Sequence, residues 1–181
     1  MNKMILEKID KTISSRVTKQ LLILSVILLI IVYPIMGYFF LISGSPSNIM
    51  ESQLSFSAEY MKDYYSSIDD LSLYGIAETL DYGFMISYGL LSFSLALIIS
   101  RRFEEGSKMR TIGMSMAILA IFAAGFDAIE NIFILLMVSD PVGFPSFFAL
   151  AHSTFALVKW IILMSLIIWA ILAVVISLLK K

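Results

Sequence analysis

The chain has no cysteine and a single histidine among its 181 residues. Without thiols there is no disulfide, no thiol redox chemistry and no thiolate metal site. One histidine leaves no pair at zinc-like spacing, so no metal site is expected. Charge is scarce as well. Asp, Glu, Lys and Arg make up 15% of the chain, where a soluble domain carries roughly a quarter. The net charge is −1 and no basic face stands out, which argues against nucleic acid as a partner. No motif implies a cofactor. Asn-x-Ser/Thr acceptors, internal repeats and low-complexity tracts are all missing.

What is present is long apolar runs, in a chain that is 59% hydrophobic. Four of them reach the ~20 residues needed to cross a bilayer core: about Leu21–Ile42, Leu80–Ser100, Thr111–Val138 and Phe147–Leu179. The expected fold is all-α, an integral membrane four-helix bundle forming a single domain over 1–181. The first run far exceeds the roughly 7–15 apolar residues of a signal peptide, so it reads as a retained anchor.

Charges between the runs set an expected orientation. Lys3, Lys8, Lys11, Arg16 and Lys19 precede the first run. The following loop has Lys62 against Glu51, Glu59, Asp63, Asp69 and Asp70. Arg101, Arg102, Lys108 and Arg110 lie between runs two and three, "SDPVGFPS" between three and four has no base, and Lys180 and Lys181 come last. This alternation predicts a multi-pass protein of the cell membrane with both termini in the cytoplasm.

Two segments outside the runs have helical patterns. Ile5, Ile9, Ile13 and Val17 recur every four residues opposite a largely basic face. They predict either an amphipathic helix on an anionic inner leaflet or a cytoplasmic extension of the first span. In the 44–74 connection, Leu54, Ala58, Met61, Tyr65 and Ile68 are helically spaced after the turn residues "SPSN". A short amphipathic helix across the outer mouth of the bundle is expected there.

Polar residues inside the runs fall on particular faces. In the third, Gly113, Ala117, Ala120, Ala124, Asp127 and Asn131 alternate at three and four residues, a stripe of small residues ending in polar ones, with Glu130 beside it. Small residues let helices approach closely in lipid, so this stripe should face the bundle and turn the acids inward. In the fourth, Ala149, His152, Ala156, Lys159, Leu163, Leu166, Ala170 and Ala173 form a similar seam. The second carries Glu78 and Asp81, with Met85, Tyr88 and Ser92 on the same face; the first offers Tyr33, Pro34 and Gly37. At 1.5 Å rise per residue, Asp127 lies about 24 Å beyond Thr111 and Lys159 about 18 Å beyond Phe147. A shared site in the middle-to-outer half of the bundle follows.

An ionised side chain at a helix centre costs about 2.5–3.5 kcal/mol even on lenient scales. The plain reading is a buried ion pair between Lys159 and one acid that fixes helix register. Other bland readings make His152 an interface residue, Glu78 and Asp81 solvated helix-start acids, and Trp160 and Trp169 packed or lipid-facing. Yet one lysine cannot balance Asp127, Glu130 and Asp81. The excess implies a protonated carboxyl, a bound cation or access of water.

The first functional expectation is a buried pocket that binds or translocates a small cation or a protonatable amphiphile. Its ligand set would be Tyr33, Asp81, Tyr88, Asp127, Glu130, Asn131, His152 and Lys159. The alternatives are a membrane-embedded acid/base enzyme, isomerase- or hydrolase-like, on a lipid or isoprenoid-like substrate, and a non-catalytic assembly subunit. Asp127, Glu130 and Lys159 are the catalytic candidates in the enzyme reading. Expected partners are membrane lipids, a small-molecule or cation ligand, and a second copy or another membrane protein.

Overall fold

The computed structural model describes Asp10 and residues 12–179. Much of the amphipathic N-terminal segment, Ile5 and Ile9 included, therefore lies outside the described residues. Within them the chain forms six helices and no strand. They are α1 (Ser15–Ile42), α2 (Ile49–Gln53), α3 (Ala58–Ser66), α4 (Leu71–Ser100), α5 (Lys108–Ser139) and α6 (Ser146–Leu179). The four long ones, α1, α4, α5 and α6, are long and apolar enough to cross a membrane. This is an all-α membrane four-helix bundle.

Side-chain caps start several of these helices at polar residues just before the apolar stretches. The Ser14, Ser57 and Ser107 hydroxyls accept from the amides of Val17, Tyr60 and Arg110. Asp70 accepts from the amides of Ser72 and Leu73. Each cap satisfies donors that the helix itself leaves free. Because Asp70 caps α4, that helix starts well before the apolar stretch at Leu80, and its added turns carry Tyr74 and Glu78. The connection from α1 turns at Gly44, where φ is +71° and a Cβ would run into Asp69. The expected single helix of the 44–74 connection is two, because the chain breaks between Leu54 and Ser57.

The long helices pack in chain order, α1 on α4, α4 on α5 and α5 on α6, and α4 also touches α6. By contrast, α1 and α6 are not packed side by side. The four spans thus make a curled row with a gap between its first and last members. Small residues bring the neighbours close: Gly89 meets Ala124, and Gly113 lies under the Trp169 ring beside Ser100. Two apolar clusters occupy opposite ends. Phe93, Leu97, Phe103, Met114, Leu166 and Trp169 fill the end near Arg101 and Arg110, here the arginine end. Met61, Tyr64, Tyr65, Tyr74, Met137 and Phe144 fill the other, the loop end, beneath α3.

At the arginine end, Asp10 is gripped by two guanidiniums. Arg101 Nε lies 2.9 Å and Arg110 Nη2 2.6 Å from its carboxylate oxygens. Arg101 also donates to Thr18 Oγ1 and to the Ile13 carbonyl. The first span does not continue unbroken into the N-terminal segment, because Ser14 is extended (ψ 157°). Ile13 packs on the arginine-end cluster, whereas Val17 is exposed.

Burial alone would raise the Asp10 carboxyl, but hydrogen bonds and charge from Arg110 and Arg101 outweigh it and hold it below its ordinary value of 3.8. A depressed carboxyl stabilises above its unfolded value and loses that contribution as pH falls through its folded value. Wild type should therefore unfold at higher temperature than Asp10→Asn near neutral pH, and the two melting curves should converge on acidification below about pH 4. Gly113→Val should cost about 1–3 kcal/mol by overpacking against Trp169, measured as a lower unfolding temperature in detergent.

Candidate functional site

Between the two apolar clusters lies a polar layer drawn from α4, α5 and α6. Asp127 and Glu130 are three residues apart on α5 and both point toward α6, where Lys159 sits. Lys159 Nζ is 2.7 Å from Asp127 Oδ1 and 2.6 Å from Glu130 Oε2. One ammonium thus bridges two carboxylates, with Lys159 only 3% exposed and Glu130 0%.

The two acids are not equally satisfied. Asp127 takes the lysine on one oxygen and the Tyr88 hydroxyl, at 2.8 Å, on the other. Glu130 has only the lysine as a close partner, in ion contact through Oε2. Its other oxygen faces His152 Nε2 at 3.6 Å. On its far side the His152 ring meets Ser153 Oγ at 3.5 Å. His152 is buried inside the bundle.

On the α4 side, Asn131 Nδ2 donates to Asp81 Oδ2 at 2.9 Å and to the Glu78 carbonyl at 3.1 Å. Glu78 is 5% exposed, which overturns its reading as a solvated helix-start acid; the early start of α4 and the cover of α3 place it inside. Among the described residues, neither Glu78 nor Asp81 makes an ion pair. Above them sits Tyr65 of α3, fully buried with a hydroxyl that has no partner. Burial first, then the charges of Glu78, Tyr64 and Glu130, push its phenol well above the usual range and keep it protonated.

A cavity of about 400 Å³ adjoins this layer. Of the ligand set expected from the sequence, Tyr33, Asp81, Tyr88, Asp127, Asn131, His152 and Lys159 line it; Glu130 does not. Tyr33 stands at its rim on α1, 59% exposed, against the Phe84 ring at 5.8 Å. Sequence reasoning missed several wall residues. Tyr74 and Phe84 come from α4, and Met36 and Phe40 from α1, while Glu78, noted beside Asp81 but left out of the ligand set, lines the cavity as well. Trp160, read as packed or lipid-facing, lines the cavity and donates to Gln53 Oε1 of α2 at 2.8 Å. Nothing in the sequence marked Gln53, because its role depends on where a two-helix connection folds back. Trp169 is packed in the arginine-end cluster.

Compared with known proteins, the chain matches no family model, no curated protein and no solved structure. Its class rests on its own geometry: a membrane-spanning helical protein with charged residues buried inside.

Removing the bridging ammonium would leave two buried carboxylates facing each other. Lys159→Met should therefore destabilise the bundle by about 3–5 kcal/mol. Adding Asp127→Asn should restore only part of this, because Glu130 still lacks its cation. Thermal unfolding of the single and double variants in detergent checks this, and full recovery in the double variant would contradict a lysine shared by both acids.

Proposed function

We propose that the chain is a membrane-embedded binding protein whose cavity takes a small protonatable or amphiphilic ligand. The observation that carries this reading is the cavity itself, bounded by apolar and aromatic side chains with convergent polar groups at one point. That is the general form of a small-molecule site. Side chains from all six helices line it.

The competing readings fit less well. An assembly subunit would turn its unpaired polar groups toward a partner, whereas Lys159 is neutralised by Asp127 and Glu130 of the same chain and the unpaired Glu78 and Asp81 line the internal cavity. An acid/base enzyme needs a group free to exchange a proton with its substrate. Of the catalytic candidates, Glu130 is off the cavity wall, and Asp127 and Lys159 are committed to each other. Conduction needs a polar route to both faces, and the arginine end is filled by Leu97, Met114, Leu166 and Trp169. In the orientation expected from the flanking charges, the site would lie in the middle-to-outer half of the bundle.

The test is ligand-induced stabilisation of the purified protein against a series of protonatable and neutral amphiphiles. At least one should raise the wild-type unfolding temperature. Leu163→Trp, which fills the cavity from α6, should fold and lose that response. A wild type that no amphiphile stabilises, or a Leu163→Trp variant that responds like wild type, would contradict the reading.

A further inference from the structure

We infer that the cavity receives its ligand sideways from the bilayer, through the gap between α1 and α6, and seats a cationic ammonium head on Asp81 and Glu78. This rests on the reading of the cavity as a ligand site and names the ligand class, the route and the residues that hold the charge.

The route follows from what is closed. At the loop end the cavity is roofed by Ser52 and Gln53 of α2 and by Met61 and Tyr64 of α3. That roof is latched to α6 twice, by Trp160 on Gln53 and by the Phe56 amide, which donates to Ser153 Oγ at 3.1 Å. Phe56 holds a left-handed φ of +52° to make this turn, a conformation a bulky residue keeps only when its surroundings hold it. The arginine end is packed solid with apolar side chains. Between α1 and α6 the helices do not pack. The wall residues on either side of that gap, Tyr33 on α1 and Met164 and Ile167 on α6, are all exposed. Their surroundings in a membrane are acyl chains.

The charge preference follows from which acids are already used. Both oxygens of Asp127 have partners, and Glu130 is not on the cavity wall. Asp81 and Glu78 lie one turn apart on the same face of α4 and both line the cavity. Asn131 occupies one oxygen of Asp81, and among the described residues no cation pairs with either acid. Two such acids cannot both stay ionised in a weakly screened interior without a counter-charge, and a monocation between them supplies it.

The surrounding wall fits an organic cation better than a bare metal ion. Tyr74, Phe84 and Tyr88 line the cavity on the same helix as the two acids, with the Phe84 and Tyr88 rings 5.4 Å apart. Aromatic faces attract alkylammonium groups. A hard divalent cation would instead need six or more oxygen ligands. The remaining wall, with Met36, Phe40, Leu163 and Ile167, accepts an apolar body.

The experiment uses the full chain in lipid nanodiscs with two probes, decyltrimethylammonium and its neutral isostere in which carbon replaces the nitrogen. The ammonium should bind about tenfold more tightly or better, read by Trp fluorescence. The Glu78→Gln/Asp81→Asn variant should lose this preference and bind the isostere as wild type does. Asp127→Asn should retain the preference. The absence of cysteine allows a single Met164→Cys to be capped with a bulky maleimide. Capping should slow ammonium association and dissociation together by about fivefold or more.

Equal binding of both probes to wild type would overturn the ammonium site while leaving the cavity reading intact, and this comparison needs no variant to fold. Preference lost in Asp127→Asn but kept in the α4 double variant would overturn the assignment to Asp81 and Glu78. Unchanged rates after capping would overturn the sideways route. Binding of neither probe would overturn this inference and the cavity reading together.

Discussion

An ammonium shared between two carboxylates inside an apolar bundle is the interaction on which the rest of this structure depends. Lys159 cannot be left alone between helices whose other faces meet lipid, and neither can Asp127 or Glu130. Their mutual contact at 2.7 and 2.6 Å ties α5 to α6 at one register. Tyr88 then extends the tie to α4 through Asp127, and Asn131 does so through Asp81. Three spans are thereby fixed to one another by a polar layer. Apolar packing alone would specify them less sharply, because lipid tails compete with apolar side chains for every helix face.

The first span takes no part in that layer. It packs on α4, where Val32 meets Gly83, and turns most of its surface outward. Its detachment from α6 is what turns a polar layer into the wall of a cavity. Closing the gap would put Tyr33 and Met36 against Leu163 and Ile167 and remove the space. The open side of the cavity and the polar commitment of the other three spans therefore follow from one arrangement. At the arginine end the Asp10 clasp reaches Thr18 at the start of α1 through Arg101, so this loosely packed span is still held at its base.

The bundle architecture was legible in the sequence because apolar runs of bilayer length leave few alternatives. The inward turn of Asp127 and Asn131 was legible too, since the small residues at three- and four-residue spacing share their face. Lys159 could be placed opposite them by the same spacing in α6. Glu78 was not legible. Acids commonly stand in water at the start of a helix, and only the earlier cap at Asp70 and the cover of α3 put this one inside. The gap between α1 and α6 left no mark either, because a face that touches lipid and a face that touches another helix are equally apolar. Gln53, Phe56 and Trp160 meet only after the 44–74 connection has folded back, so no local pattern joins them.

A high-resolution structure of the chain in lipid nanodiscs would test the central claim most directly, that an acid-lined cavity open to the bilayer is built around the Lys159 bridge. The account predicts Nζ within ion-pair distance of both Asp127 and Glu130, a space between α1 and α6, and elongated density there whose head lies against Asp81 and Glu78. A bundle in which α1 closes on α6, or in which Lys159 turns away from either acid toward lipid, would contradict it.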